Sequence, residues 1–474
     1  MQNGKTVKTI GRYQICGMLG KGGMAKVYKV KLPVVGQLGA LKLLAPNPLL
    51  IDLMGADRVE ALFIKEAVTM AHLRHPNLLA LRDFDTHRGT PFLVMEYYCH
   101  NLGALIGETY RTESPSRTLP VDKAIAYTRQ LLQGLDFLHL AGLVHRDIKP
   151  FNLLISDQDT LKIADFGLSQ RRGEVFQGPA NLKVGSPYYA APEQEQDPDN
   201  AGFSADVFAA GVVFQRLLTG VLPANGKPVP SRCRSELTGV FDAFVAKATD
   251  PVAGRRFADA GAMLEALEAL AGEWEKHKQK ICLLEQDGTS GPATRTAPCP
   301  SGTGRRWGRR RTAWGLDELG RPTRIVGSTS TSPSPDTVQI LETGLVWQKS
   351  GSAYPLCWSE AQAHIEHLNR TGFAGCRRWR LPSVAEIITL VGPPDIDRHL
   401  CLAPVFDPRQ KWLWSGERRS PMTVWFVNVA LGYVGWQDMD CRCYVRAVSE
   451  STASGQGMKN SNCLFHLSSF ILHP

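Results

Sequence analysis

Alternating apolar and polar positions open the chain. Tyr13-Gln14-Ile15-Cys16 has the two-residue period of a half-buried strand, and Val27-Tyr28-Lys29-Val30 resumes it after a glycine-rich interruption. Ala40-Leu41-Lys42-Leu43-Leu44 predicts a further, more apolar strand. The period then changes. Val59, Leu62, Phe63, Ala67 and Met70 recur at helical spacing across Val59 to Leu73. Phe92 to Tyr98 reads as an apolar strand that ends in a polar link, and Val121 to Leu140 as a helix. Val207 to Leu218 is the most apolar stretch, broken by Gln215 and Arg216, and reads as a buried helix rather than a membrane span.

The pattern divides the chain. Residues 11–271 alternate strand-like and helix-like segments and form one expected domain. Residues 272–336 shift to Gly, Pro, Ser, Thr and Arg, a composition that cannot bury enough apolar surface to offset chain entropy, and are expected to be a flexible basic linker. Residues 337–449 become dense in tryptophan and cysteine, and a compact second domain is expected there. Ser359 is a potential cap for a helix through Ala363, Ile365 and Leu368, and Ser383 for one through Ile387. The stretches Trp412-Leu413-Trp414-Ser415 and Val424-Trp425-Phe426-Val427-Asn428 predict strands. Residues 450–474 are Ser-rich and expected to be disordered.

Composition changes this picture little. With 474 residues the chain exceeds one ordinary core, and 43% apolar with 21% charged residues is globular composition. The net charge of +9 is spread thinly, which favours a solvated surface over a nucleic-acid groove. Within the linker, Arg305-Arg306-Trp307-Gly308-Arg309-Arg310-Arg311 is either a docking patch for anions or a charge run that keeps the linker extended. Met1 to Ile10 is polar, and no long apolar run follows anywhere, so neither a secretory leader nor a membrane span is expected. Eleven scattered cysteines, an odd number without zinc-type spacing, fit reduced thiols in a cytoplasm. On that ground Cys357, Cys376, Cys401, Cys441 and Cys443 are expected to be free, the alternative being disulfides in an oxidising compartment. His364, His367 and His399 have no supporting ligands and read as surface or core residues.

The chemistry concentrates in two short segments. His145-Arg146-Asp147-Ile148-Lys149-Pro150-Phe151-Asn152 is followed closely by Asp165-Phe166-Gly167. Two carboxylates, a carboxamide and a lysine at these offsets suit phosphoryl transfer: Asp147 to orient or accept a hydroxyl proton, Lys149 to neutralise the moving group, Asn152 and Asp165 to hold metal. Upstream, Gly20-Lys21-Gly22-Gly23-Met24-Ala25 can turn tightly over phosphates because no side chain obstructs the backbone. The strand lysine, Lys42, needs a partner for its charge, and Glu66 on the following helix is the candidate, the alternative being a solvent-facing glutamate.

These motifs, with Ala191-Pro192-Glu193, Asp206-Val207-Phe208-Ala209-Ala210-Gly211 and Arg256, resemble those of bacterial Hanks-type serine/threonine protein kinases. The resemblance implies an α+β, bilobal protein-kinase fold with an antiparallel N-lobe sheet plus one helix and a mainly helical C-lobe. It implies ATP with Mg²⁺ or Mn²⁺ as cofactors. Catalytic roles would fall to Asp147, Lys149, Lys42 and Glu66, and metal binding to Asn152 and Asp165. ATP contacts would come from Leu19, Gly20, Lys21, Gly22, Gly23, Val27, Ala40, Lys42, Met95, Glu96, Tyr98, Asn152 and Leu154. His145, Arg146, Glu193, Asp206 and Arg256 would be structural. Ala25 stands where the family's third loop glycine is usual, a small departure. Lys149 implies Ser or Thr acceptors on protein substrates. A second kinase copy is a further partner that the resemblance leaves open.

The order Trp379-Arg380-Leu381-Pro382 … Tyr444-Val445-Arg446-Ala447-Val448 resembles the Lcl C-terminal domain, a small α+β family with a suspected link to C-type-lectin-like folds. A sensor or adaptor role with an unassigned ligand is one reading, and tryptophans that fill a small core the other. Family members with Arg146 often use an activation-loop phosphate, yet between Gly167 and Pro192 the hydroxyl residues are Ser169, Ser186, Tyr188 and Tyr189, without threonine. Ser186 stands where a structural threonine is usual, and Glu174 is a potential phosphate substitute. Control is therefore expected elsewhere, with the second domain as candidate. An active enzyme in bacterial signalling is the leading expectation, against a binding-only scaffold or a nucleic-acid-associated protein.

Overall fold

The structure, a computed structural model, describes residues 8–109, 113–166, 170–171, 188–196, 201–223, 229–285, 310–325, 329–395 and 400–450. Its first half has two lobes. The small lobe is a six-stranded antiparallel sheet in the order Thr9–Ile10, Tyr13–Lys21, Ala25–Lys31, Leu38–Leu44, Thr90–Glu96, Leu81–His87. The Ala56–His72 helix packs on it, with Val59, Phe63, Ala67 and Met70 buried as the spacing predicts; Leu62 sits at the margin.

The large lobe is built on Val121–Leu140 and Phe203–Thr219. The first has the bounds expected from sequence. The second buries nearly all its residues, which is why its pattern is apolar around the whole circumference. Gly211 is required there: a Cβ would lie 2.7 Å from Ala248 Cβ and 3.0 Å from Thr249 Cγ2 on the neighbouring helix. The strands Leu153–Ile155 and Leu161–Ile163 form a small antiparallel pair beneath the cleft between the lobes.

The expected linker is structured at both ends. Ala260–Glu285 is one helix that runs well past residue 271, because Trp274 packs edge-on against Phe241 at 5.9 Å and donates to Asp122 at 2.9 Å. On the far side, Leu316 is buried in the C-terminal core and Trp314 meets Trp425 edge-on at 5.1 Å. The averaged composition had hidden these two anchoring tryptophans. Residues 305–309 of the arginine run lie outside the described residues, as do the tail 451–474 and His399.

Among its described residues the C-terminal region is rich in β structure, with the helices Trp358–Thr371 and Val384–Thr389. One antiparallel sheet orders Ser330–Ser334, Thr337–Ile340, Leu345–Gln348 and Val448–Glu450, so the region's two ends pair with each other. A second contains Trp412–Ser420, Thr423–Asn428 and Tyr433–Asp438. Trp347, Trp358, Trp379, Trp412, Trp414 and Trp425 are all buried, so most of the tryptophan signal reports core. Ser383 caps Val384–Thr389 through Glu386 N at 3.2 Å, as expected. Ser359 does not cap. The helix starts two residues earlier than that cap implies, at Trp358, behind Cys357, whose amide donates to Glu360 at 2.9 Å. Among the described residues no helix is long and apolar enough to cross a membrane.

The cysteine expectation needs correction at Cys441, which is disulfide-bonded to Cys99 of the first half; Cys357, Cys376, Cys401 and Cys443 are free. Spacing could not foresee the bond, since the sequence separation is 342.

Candidate functional site

The cleft gathers the polar residues singled out above. Lys42 sits mid-strand in Leu38–Leu44, and the register places it opposite Val27 on one side and Leu93 on the other. Its Nζ lies 2.7 and 2.8 Å from the two Glu66 oxygens and 3.1 Å from Asp165 Oδ1. Glu66 is 3% exposed, which excludes a solvent-facing role. Burial alone would discharge Lys42, but Asp165 and Glu66 more than offset it and its pKa is raised. Glu66 bears the cost: burial pushes its carboxyl upward, and the attraction of Lys42 only partly reverses that. Asp165 is held below its usual range chiefly by Lys42.

Asp147 and its neighbours form a second knot. Lys149 Nζ donates to Asp147 Oδ2 at 2.7 Å, and Asn152 Nδ2 donates to Asp147 O at 2.8 Å and Oδ2 at 2.9 Å. The amide nitrogen of Asn152 is thereby engaged, which leaves its carbonyl oxygen as the acceptor end. Asp165 and Asn152 offer hard oxygen donors, the chemistry that Mg²⁺ or Mn²⁺ accepts when waters and substrate phosphates complete the shell. Among the described residues no cluster of three His, Cys, Asp or Glu could hold a metal by itself. A site with two protein donors fits a metal that arrives with a phosphate ligand.

The loop bearing Asp147 is held from below. Asp206 accepts from the His145 and Arg146 amides, both at 2.8 Å, and pairs with His139 at 3.0 Å. Burial works against its charge, but the contacts with His139 and His145 prevail, and its pKa is lowered. Arg146 and Asp165 are held at φ 70° and 67°, a left-handed conformation that costs a non-glycine residue roughly 1–3 kcal/mol. The amide bonds to Asp206 and the ion pair with Lys42 supply that restraint. Arg256 grips Glu193 through two bonds of 2.6 and 2.8 Å and also donates to Ser204 O and Asp250 O.

The residues expected around ATP lie on the strands, turn and link of the two lobes. Leu19, Gly20 and Lys21 end the strand Tyr13–Lys21, and Gly22 and Gly23 make the turn, closed by Gly22 N to Ala25 O at 2.9 Å. A Cβ at Gly20 or Gly23 would meet no atom within 4 Å, so these glycines leave room rather than relieve packing. Ala40 lies opposite Met95, Glu96 and Tyr98 begin the link between lobes, and Leu154 lies on Leu153–Ile155. Tyr98 OH donates to Glu96 at 2.9 Å. Gly167, Ser169, Glu174 and Ser186 lie outside the described residues. Arg146 is 3% exposed and donates to Ala201 O at 3.1 Å.

The motifs of the C-terminal region do different work. Arg446 is fully buried and donates to Gln348 O, Lys349 O and Gln410 Oε1 while lying over Phe406. Arg380 chelates Glu386 at 2.7 and 2.8 Å, and Glu386 belongs to the Ser383 capping box. These motifs staple the fold.

Sequence reasoning missed a seam between the two halves. Lys29 pairs with Asp438 at 2.7 Å and Asp440 at 3.0 Å. His100 lies 4.4 Å from Trp412 and 5.9 Å from Phe426, ring to ring. Arg117 covers Tyr433 at 3.7 Å, and Lys411 reaches Asp159 at 2.5 Å. The one available signal was Cys99, a thiol immediately after the link between lobes.

Comparison with known proteins agrees with this layout. Residues 13–257 match the model of the protein kinase domain, and residues 336–449 that of the Lcl C-terminal domain. A probable serine/threonine-protein kinase PknB from Lactococcus lactis is 34% identical over 216 residues, 45% of this chain and 32% of the relative. CBL-interacting serine/threonine-protein kinase 3 of Arabidopsis thaliana is 31% identical over 50% of this chain and 51% of its own length. The chain thus spans about a third to a half of these relatives. The PknI kinase domain of Mycobacterium tuberculosis aligns with 56% of this chain and 98% of its own at 24% identity and a TM-score of 0.43. With more than half of its residues matched by that family model, the chain belongs to the protein kinase family.

Proposed function

We propose that the chain is an ATP-dependent serine/threonine protein kinase of bacterial signalling, with its C-terminal domain as sensor or adaptor. The observation that carries this reading is the assembled cleft: Lys42, Glu66 and Asp165 in one ion cluster, beside Asp147, Lys149 and Asn152 in one hydrogen-bonded knot. A binding-only scaffold would not need both.

Bound ATP supplies the transferable phosphoryl group, and its divalent ion offsets the phosphate charge. The protein's part is positioning. Lys42, held by Glu66, presents a fixed ammonium toward the α/β-phosphates. Asp165 and the Asn152 carbonyl would hold the metal. Asp147 orients the Ser or Thr hydroxyl and accepts its proton, and Lys149 neutralises the phosphoryl oxygens. Ala40, Val27, Met95, Leu19 and Leu154 form the apolar sandwich for a purine, and the Glu96–Tyr98 backbone its polar edge. Serine/threonine specificity is supported by Lys149 and by the relatives' names.

Transfer of labelled phosphate from ATP and Mg²⁺ to the chain itself or to a generic basic protein tests the reading. Wild type should label. Asp147→Asn should lose on the order of 10²–10⁴-fold. Equal labelling by both proteins would overturn the assignment of Asp147, and no labelling by wild type would favour the scaffold.

A further inference from the structure

We propose that Cys99 and Cys441 form a reversible thiol–disulfide latch through which the C-terminal domain clamps the two kinase lobes and slows nucleotide exchange. The inference rests on the reading of the cleft as a nucleotide site.

The latch stands where it can act on both lobes. Cys99 directly follows the Glu96–Tyr98 link, and Cys441 lies just beyond the strand Tyr433–Asp438. On the small-lobe side, Lys29 is 1% exposed and ion-paired to both Asp438 and Asp440. Tyr97 OH lies 3.8 Å from Cys441 Sγ. On the large-lobe side, His100 packs on Trp412, Arg117 covers Tyr433 and donates to Leu319 O, and Lys411 binds Asp159. The C-terminal domain therefore bridges the hinge. Lobe opening must break one set of contacts or the other.

Register carries the argument to the nucleotide. Lys29 lies opposite Ala40 and Val27 opposite Lys42. Cross-strand partners share a face, and residues two apart on one strand share it too. Lys29 therefore lies on the same face of the sheet as Ala40, Val27 and Lys42, the face that looks into the cleft. The acidic turn Asp438-Met439-Asp440 reaches that face from the neighbouring domain and places two carboxylates beside the path of an anionic nucleotide.

The thiol inventory favours a reversible bond. Among the described residues Cys16, Cys233, Cys357, Cys376, Cys401 and Cys443 are free, so the bond between the domains stands there without a surrounding disulfide framework. Closure is balanced by a low-molecular-weight disulfide. One protein thiolate attacks it to form a mixed disulfide and release one small thiol. The second protein thiolate then displaces the other. The two protein thiols lose two protons and two electrons, and the small disulfide becomes two thiols. A dithiol reductant reverses the step.

The test uses the full chain and a fluorescent ATP analogue with Mg²⁺, after equilibration with either oxidised glutathione or dithiothreitol. Peptide mapping should show the Cys99–Cys441 bond in the first state only, and stopped-flow release of the analogue should be slower there by on the order of tenfold. Cys99→Ser and Cys441→Ser should exchange at the reduced rate in both conditions. Lys411→Glu, which sets a second acid against Asp159, should accelerate release from the oxidised protein without touching either cysteine. Equal release rates in the two redox states, or no bond on mapping, would overturn the latch and leave the kinase reading intact. Failure of the analogue to bind in either state would remove both.

Discussion

The cleft and the C-terminal domain both carry family motifs rich in charge, yet the charges end in opposite places. Asp165 has a side chain 48% exposed, reachable by a ligand, whereas Arg446 is fully buried with its two terminal nitrogens spent on carbonyls and an amide oxygen. Both motifs are recognisable in sequence. For this pair, the exposure of the charged end separates a residue that a ligand can reach from one that holds the chain. Arg256 and Asp206 show that a kinase motif, too, contains residues of the second kind.

The comparison breaks most sharply on activity. Asp165→Ala removes the carboxylate offered to metal and one of the two that stabilise Lys42, so labelled phosphate transfer should fall below detection while the thermal transition stays near wild type. Near-normal turnover would sink the metal assignment. Arg446→Leu should do the reverse. It leaves Gln348 O, Lys349 O and Gln410 Oε1 without their buried donor, at roughly 1–3 kcal/mol for each unsatisfied group. The C-terminal domain should melt early, and residual kinase activity should persist in the reduced protein. If the thermal transition of Arg446→Leu were unchanged, the staple would be misassigned.

Glycines sharpen the same contrast at a smaller scale. Gly211→Ala gains about 1 kcal/mol of helix propensity but forces a Cβ against Ala248 and Thr249. Overpacking of this kind costs roughly 1–3 kcal/mol, so a net loss of stability is expected in denaturant unfolding. Gly23→Ala meets no neighbour within 4 Å and should leave stability unchanged while weakening ATP binding. A stability loss at Gly23 would mean that the loop glycines serve packing instead of ligand space.

Much of the first half was legible because its chemistry is local. The Val121–Leu140 helix, Lys42 with Glu66, and the Asp147 knot follow from short patterns whose partners lie at offsets that the fold makes regular. The seam was not legible for the opposite reason. Lys29 reads as the polar position of an alternating strand, and nothing nearby in sequence says that its partners are Asp438 and Asp440. Linker composition failed in the same way: the mean over 272–336 hid Trp274 and Trp314, each of which anchors an end by a single contact face. Cys357 displaced Ser359 as helix cap because the helix begins with Trp358, whose burial outweighs the better capping chemistry one residue later.

His100 offers the gentlest way to separate the two halves. Its imidazole is buried against Trp412 and Phe426, and that burial lowers its pKa from 6.5 to about 4. The docked form therefore keeps His100 neutral over a range in which the undocked form takes up a proton. Stability of the seam from this group is complete above pH 6.5 and is lost as pH falls toward about 4, at up to about 1.4 kcal/mol per pH unit. In reduced protein, hydrogen exchange at residues 97–101 and 433–441 should rise over that interval. His100→Phe keeps the apolar contact without the titration, so its exchange should stay flat across the same pH range. A matching rise in His100→Phe would show that the acid sensitivity of the seam does not come from His100.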